Sequence, residues 1–132
     1  MEEYTIYCTE EQTKKALELD APIQNMSMFR YGDNELPKYV YKNKWNRDCF
    51  CYCPTTEQMI GWLRKEHKIH PRIDCEGSKN YVVQLQFIHS SKDLDVVNKS
   101  YKGIIGHPGF PSPEEATLAA IDAALDYLKS MN

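Results

Sequence analysis

The chain has 132 residues, 42% hydrophobic and 27% charged, with a formal net charge of −3 and five cysteines. That length suits one domain able to bury a core, and the apolar content is too high for a disordered chain. The negative balance supplies no global attraction to nucleic acid or an anionic membrane, so any such contact must come from a local patch.

The opening MEEYTIYC carries acids where a secretory leader carries bases, and no apolar run approaches the length of a membrane span. A cytoplasmic protein without membrane attachment is expected. The odd number of cysteines in such a chain reads as reduced thiols rather than a disulfide framework.

Taken in order, residues 4–8 are rich in β-formers and lead to Thr9, whose hydroxyl and the Gln12 side chain have the spacing of a capping box. The helix that follows has a thin apolar edge, Ala16, Leu17 and Leu19, and favourable i,i+4 pairs in Glu10–Lys14 and Glu11–Lys15. It ends at Asp20-Ala21-Pro22. Residues 26–31 read as a strand, 32–34 as a turn and 38–42 as the returning strand of a hairpin, with 43–48 a loop into a strand over 49–53.

Thr55 and Gln58 form a second capping box, and 100° per residue sets Met59, Ile60 and Leu63 on one helical face with Trp62 at its flank. Pro71 halts that helix. Residues 72–75 and 80–88 flank Glu76-Gly77-Ser78-Lys79 as a hairpin, and Tyr81, Val83, Leu85 and Phe87 alternate with Gln84 and Gln86, as in a sheet with one wet face. A further strand is expected over 96–105, after a polar loop at 90–95. The last helix has Ser112 as N-cap, Pro113 at its first position and Glu115 three residues beyond the cap. Leu118, Ile121, Leu125 and Leu128 make one edge of its apolar face, and Ala116, Ala120, Ala123 and Tyr127 the other. The expected fold is a single α+β domain over residues 1–132: one antiparallel sheet of about four to six strands and three helices, the last two packed on one face.

Few constellations carry chemistry. Cys49, Cys51 and Cys53, with Cys75, His67 and His70 elsewhere, suggest zinc by residue type, but alternate residues on an extended strand stand ~6.6 Å apart, and ~13 Å separates the outer pair. Small apolar residues on the inward face of a strand are the reading that spacing supports, so no metal or other cofactor is expected. Cys53 lies two residues before a helix N-cap, where the dipole favours a thiolate. A cysteine-dependent enzyme or redox protein would also need a base within reach, and the sequence sets none of His67, His70, His89 and His107 beside it. The glycine-rich stretch 103–109 precedes a helix, yet it lacks the lysine of a phosphate loop, and Glu114 and Glu115 already hold the helix N-terminus.

The segment KYVYKNKWNR is different: Lys38, Lys42, Lys44 and Arg47 are interleaved with Tyr39, Tyr41 and Trp45, and no acid intervenes. Cations that track phosphates beside aromatics that stack bases suit a single-strand binder. Lysines along a strand edge also guard against aggregation, which is the commoner use.

The run Pro54-Thr55-Thr56-Glu57-Gln58 with Trp62-Leu63-Arg64, then Pro113-Glu114-Glu115-Ala116 with Ala119-Ala120-Ile121, resembles small proteins encoded by phages and prophages of Bacteroides-type gut bacteria. The likeness covers the half of the chain after Cys53. It implies a cytoplasmic accessory protein of a mobile element and carries no catalytic role to any residue. With no catalytic signature, and with nine tyrosines and two tryptophans to supply contact area, the expected function is a non-enzymatic accessory or interaction module with a protein partner. Single-stranded nucleic-acid binding through Lys38, Tyr39, Tyr41, Lys42, Lys44, Trp45 and Arg47 is the alternative.

Overall fold

In a computed structural model of the chain, the described residues are 6–23, 37–76, 80–90, 93–98 and 109–131. They form three helices, α1 (Glu10–Glu18), α2 (Thr56–His67) and α3 (Pro113–Ser130). Five strands accompany them: β1 (Lys38–Lys42), β2 (Asp48–Tyr52), β3 (Ile69–Cys75), β4 (Tyr81–Phe87) and β5 (Asp93–Val96). The class is α+β, but the single sheet of about four to six strands is replaced by two antiparallel sheets, β1-β2 and β3-β4-β5. Sequence neighbours satisfy one another's backbone groups in each, so neither hairpin requires the other as a ladder partner. The chain divides into two compact units, Met1–Met59 and Ile60–Asn132, with the division inside α2.

In the first unit the capping box of α1 is complete: Thr9 Oγ1 accepts from the Gln12 N–H at 3.1 Å and Gln12 Oε1 accepts from the Thr9 N–H at 3.0 Å. At the other end the Ala21 N–H donates to the Ala16 carbonyl and the Asp20 N–H to that of Leu17, both at 3.0 Å. This is the paired closure of a Schellman motif, with Asp20 at φ 63° where glycine is usual. The buried side of α1 runs through Gln12, Thr13 and Ala16, whereas Leu17 and Leu19, expected on its apolar edge, are half-buried. The segment ahead of α1 is extended, and the Cys8 N–H donates to the Pro54 carbonyl and the Thr56 N–H to that of Ile6, each at 2.9 Å. The strand expected at 26–31 and the turn at 32–34 lie outside the described residues. The described partner of β1 is β2, with α1 against β1.

The second capping box is also closed, by reciprocal bonds between Thr55 and Gln58 at 2.9 and 3.1 Å. Along α2, Met59 and Leu63 are fully buried, Trp62 nearly so and Ile60 half-buried, as the period predicts.

In the second unit β4 is the centre of the sheet. Pro71 does not merely follow the helix: it stands within β3, opposite Leu85. The bonds from the Ile88 N–H to the Lys68 carbonyl and from the Glu76 N–H to that of Asn80 set the ladder's phase. Pro71 falls at a non-hydrogen-bonded position, so its missing N–H lies on the open side of an edge strand. Val83 and Leu85 are fully buried beneath α3, and Phe87 meets Tyr127 with ring centroids 4.9 Å apart.

The third strand departs from expectation. It occupies Asp93–Val96 instead of starting at Val96, because Val83 pairs with Val96 and Leu85 with Leu94. Residues 99–105 of the expected strand lie outside the described residues. Beyond β5 the edge of β4 is continued by Phe110, which exchanges both backbone hydrogen bonds with Tyr81 at 2.8 and 2.9 Å. Helix α3 begins as expected: Ser112 Oγ accepts from the Glu115 N–H at 3.2 Å, and Pro113 opens the first turn. Its buried stripe is Ala116, Ala120, Ile121, Ala124 and Leu125, narrower than the expected face, with Leu118 and Leu128 half-exposed. Of the two helices expected over one sheet, α3 is the one that lies on β3, β4 and β5.

Candidate functional site

The β1–β2 hairpin holds the residues with the strongest surface chemistry. Its loop is built by Asn43, whose Oδ1 accepts from the Trp45 N–H at 2.9 Å and the Arg47 N–H at 3.0 Å. The Asn46 N–H returns to the Asn43 carbonyl, and Asn46 takes φ 59°, the left-handed residue that a three-residue hairpin loop needs before its second strand. This turn sets the register: Lys38 opposite Tyr52, Tyr39 opposite Cys51, Val40 opposite Phe50, Tyr41 opposite Cys49 and Lys42 opposite Asp48.

Directly opposed residues share a face, so the hairpin separates two chemistries. One face carries Tyr39, Tyr41, Cys49 and Cys51. There Cys51 is buried, and the two tyrosines are half-buried and stacked at 5.5 Å with 14° between planes. Desolvation, with further contributions from Cys49, Cys51 and Tyr39, raises the Tyr41 pKa, and burial followed by the neighbouring Cys53 raises that of Cys51. Both groups are held in their neutral forms.

The other face carries Lys38, Val40, Lys42, Asp48, Phe50 and Tyr52. Val40 and Phe50 are 63% and 54% exposed, and Phe50 meets Tyr52 edge-on with centroids 5.7 Å apart and 83° between planes. The Lys38 ammonium lies 5.2 Å from the Phe50 centroid and 5.5 Å from that of Tyr52. Lys42 is engaged with Asp48 at 2.6 Å. At the tip, Trp45 is 68% exposed with the Lys44 ammonium 4.5 Å from its ring, and Arg47 is exposed.

The seven residues of the basic and aromatic segment are therefore not brought together. Lys38 and Lys42 belong to the open face, Lys44, Trp45 and Arg47 to the tip, and Tyr39 and Tyr41 to the cysteine side. Sequence reasoning passed over Phe50 and Tyr52. The signal for them was the alternation that sends Cys49, Cys51 and Cys53 inward, since the residues between must then point outward.

The cysteines contribute a different picture. All five are thiols, with Cys8, Cys51 and Cys53 buried, Cys49 half-buried and Cys75 exposed. Among the described residues no group of three or more His, Cys, Asp or Glu is placed to hold a metal ion. His67 packs edge-on against Trp62 at 4.6 Å, and desolvation lowers its pKa against the opposing effect of Glu66.

A cavity of about 330 Å³ lies on the three-stranded sheet, where Asp74, Glu76 and Asp95 surround Val82 and Gln84. Gln84 Nε2 donates to Asp95 Oδ1 at 3.1 Å, and Arg72 pairs with Asp74 at 3.0 Å, so two of these carboxylates already have partners. Among the described residues no serine, cysteine or histidine lines it. Among the described residues no helix is long and apolar enough to cross a membrane. No family model, no curated protein and no solved structure matches the chain.

Proposed function

We propose that this protein is a non-enzymatic interaction module whose contact surface is the open face of the β1–β2 hairpin. One observation carries the reading: Val40 and Phe50, opposed across the strands, are both more than half exposed, while Cys51 on the reverse face is buried. A hairpin needs only one apolar face for its core. A second face of Val40, Phe50 and Tyr52 is an apolar surface of the kind that partners cover. Aromatic residues are among the types enriched where partners meet, and Trp45 extends the surface at the tip. An accessory role in a mobile element is in keeping with the resemblance of the later half of the chain to phage and prophage proteins.

Affinity capture from the native host, read out for both proteins and nucleic acid, tests the surface when the wild-type chain is compared with Val40→Asp/Phe50→Asp. Species retained by the wild type and lost with the double variant support the reading. Capture identical for the two chains, or none from either, removes it.

A further inference from the structure

We infer that the open face of the β1–β2 hairpin and the tip beyond it take a single-stranded nucleic acid, with Phe50 and Tyr52 on the face and Trp45 at the tip stacking bases, and Lys38 and Lys44 meeting phosphates. This rests on the reading of that face as a contact surface and names its occupant.

Charge complementarity selects the class of partner. Among the described residues no acidic side chain pairs with Lys38 or Lys44, and the acid on this face, Asp48, is engaged by Lys42. The chain as a whole is acidic, with 19 Asp and Glu against 16 Lys and Arg, so this concentration of cations is local. A protein partner prefers an interface centre depleted in charge, whereas here an ammonium sits over the central rings. A second copy docked face to face through a two-fold axis would bring the lysines of both copies to one interface, which like-charge repulsion opposes.

The geometry suits single strands over duplex. Phe50 and Trp45 present exposed rings, and the cations lie on or beside them: Lys38 on Phe50 and Tyr52, Lys44 on Trp45. A base seated on a ring therefore brings its phosphate within reach of a cation already there. Stacking of this kind needs unpaired bases and is tolerant of sequence, because every base has a π face. The participating set differs from the linear segment: Tyr39, Tyr41 and Arg47 belong to the other side, and Phe50 and Tyr52 supply the rings on this one.

The test is fluorescence anisotropy of the full chain with labelled oligothymidine and oligouridine of about twelve nucleotides, at about 50 mM and about 200 mM salt. Two phosphate contacts at ~0.7 each give a salt slope of about −1.4, or about 7-fold weaker binding at the higher salt. Phe50→Ala is expected to weaken binding about 5- to 150-fold, and Phe50→Leu similarly, because leucine keeps the apolar bulk but has no ring to stack. Circular dichroism confirms that each variant is folded. No binding at the lower salt, binding indifferent to Phe50→Ala, or tighter binding of a duplex of the same length overturns the inference. Sedimentation separates the two levels of the reading. Absence of oligonucleotide binding together with a dimer that Phe50→Ala dissociates would mean that the face is a contact surface whose occupant is a second copy. Absence of both, with host capture indifferent to Val40→Asp/Phe50→Asp, removes the contact surface itself.

Discussion

Val40 stands directly opposite Phe50 across the β1–β2 hairpin, and both side chains point to solvent. Leu85, opposite Pro71 in the other sheet, is fully buried. The two sites should respond oppositely to loss of apolar bulk. Val40→Thr and Phe50→Thr are each expected to change unfolding free energy by about 1 kcal/mol or less, since little area leaves water there. Leu85→Ala is expected to cost about 2–5 kcal/mol through lost transfer energy and a residual cavity. Urea denaturation checks both, and a large loss at Val40 or Phe50 would mean that the face is part of the core.

Two glycines should part in sign when replaced by alanine. Gly61 lies in α2, exposed, and a Cβ there meets nothing within 4 Å. Gly61→Ala is expected to stabilise by about 0.8–1 kcal/mol through helix propensity. Gly109 is buried, and its Cβ would overlap Asn80 Oδ1 and come within 2.9 Å of the Tyr81 carbonyl. Its own carbonyl accepts from Asn98 Nδ2 at 2.9 Å, which ties this backbone down. Gly109→Ala should therefore destabilise by about 1–3 kcal/mol. Thermal unfolding of the two variants beside the wild type decides.

Asp20 closes α1 in a left-handed conformation that most side chains resist, at φ 63°. Asp20→Gly keeps the Ala21-to-Ala16 and Asp20-to-Leu17 bonds and relieves the Cβ, so a gain of about 1 kcal/mol is expected. Asp20→Val should lose stability, because a β-branched residue is a worse occupant still. Equal midpoints for the three proteins in a denaturant titration would contradict the motif.

Thiol labelling should follow burial. Cys75 is expected to react first with a disulfide reagent, Cys49 more slowly, and Cys8, Cys51 and Cys53 only upon unfolding. Burial pushes the Cys51 pKa up, which slows it further. Mass spectrometry of partially labelled protein assigns the order. Rapid labelling of Cys53 in the folded chain would reopen a role for it as a nucleophile, since its place ahead of α2 would then be reachable.

What could be read from the residues alone is what is decided within a few positions of chain. The caps at Thr9, Thr55 and Ser112 all form as their spacing predicts, because the N–H group that each hydroxyl satisfies lies three residues away. Alternation in Tyr81–Phe87 likewise names its own buried face. Strand partners are another matter. That β1 takes β2, that β5 begins at Asp93, and that Phe110 completes the edge at Tyr81 depend on where the backbone groups of separate segments meet. Local preference is silent on that choice, since any extended segment offers the same ladder of donors and acceptors. The contact surface followed the pairing: Lys38, Phe50 and Tyr52 become neighbours only once the Asn43 turn sets the register, while the tyrosines nearest Lys38 in sequence turn to the opposite side.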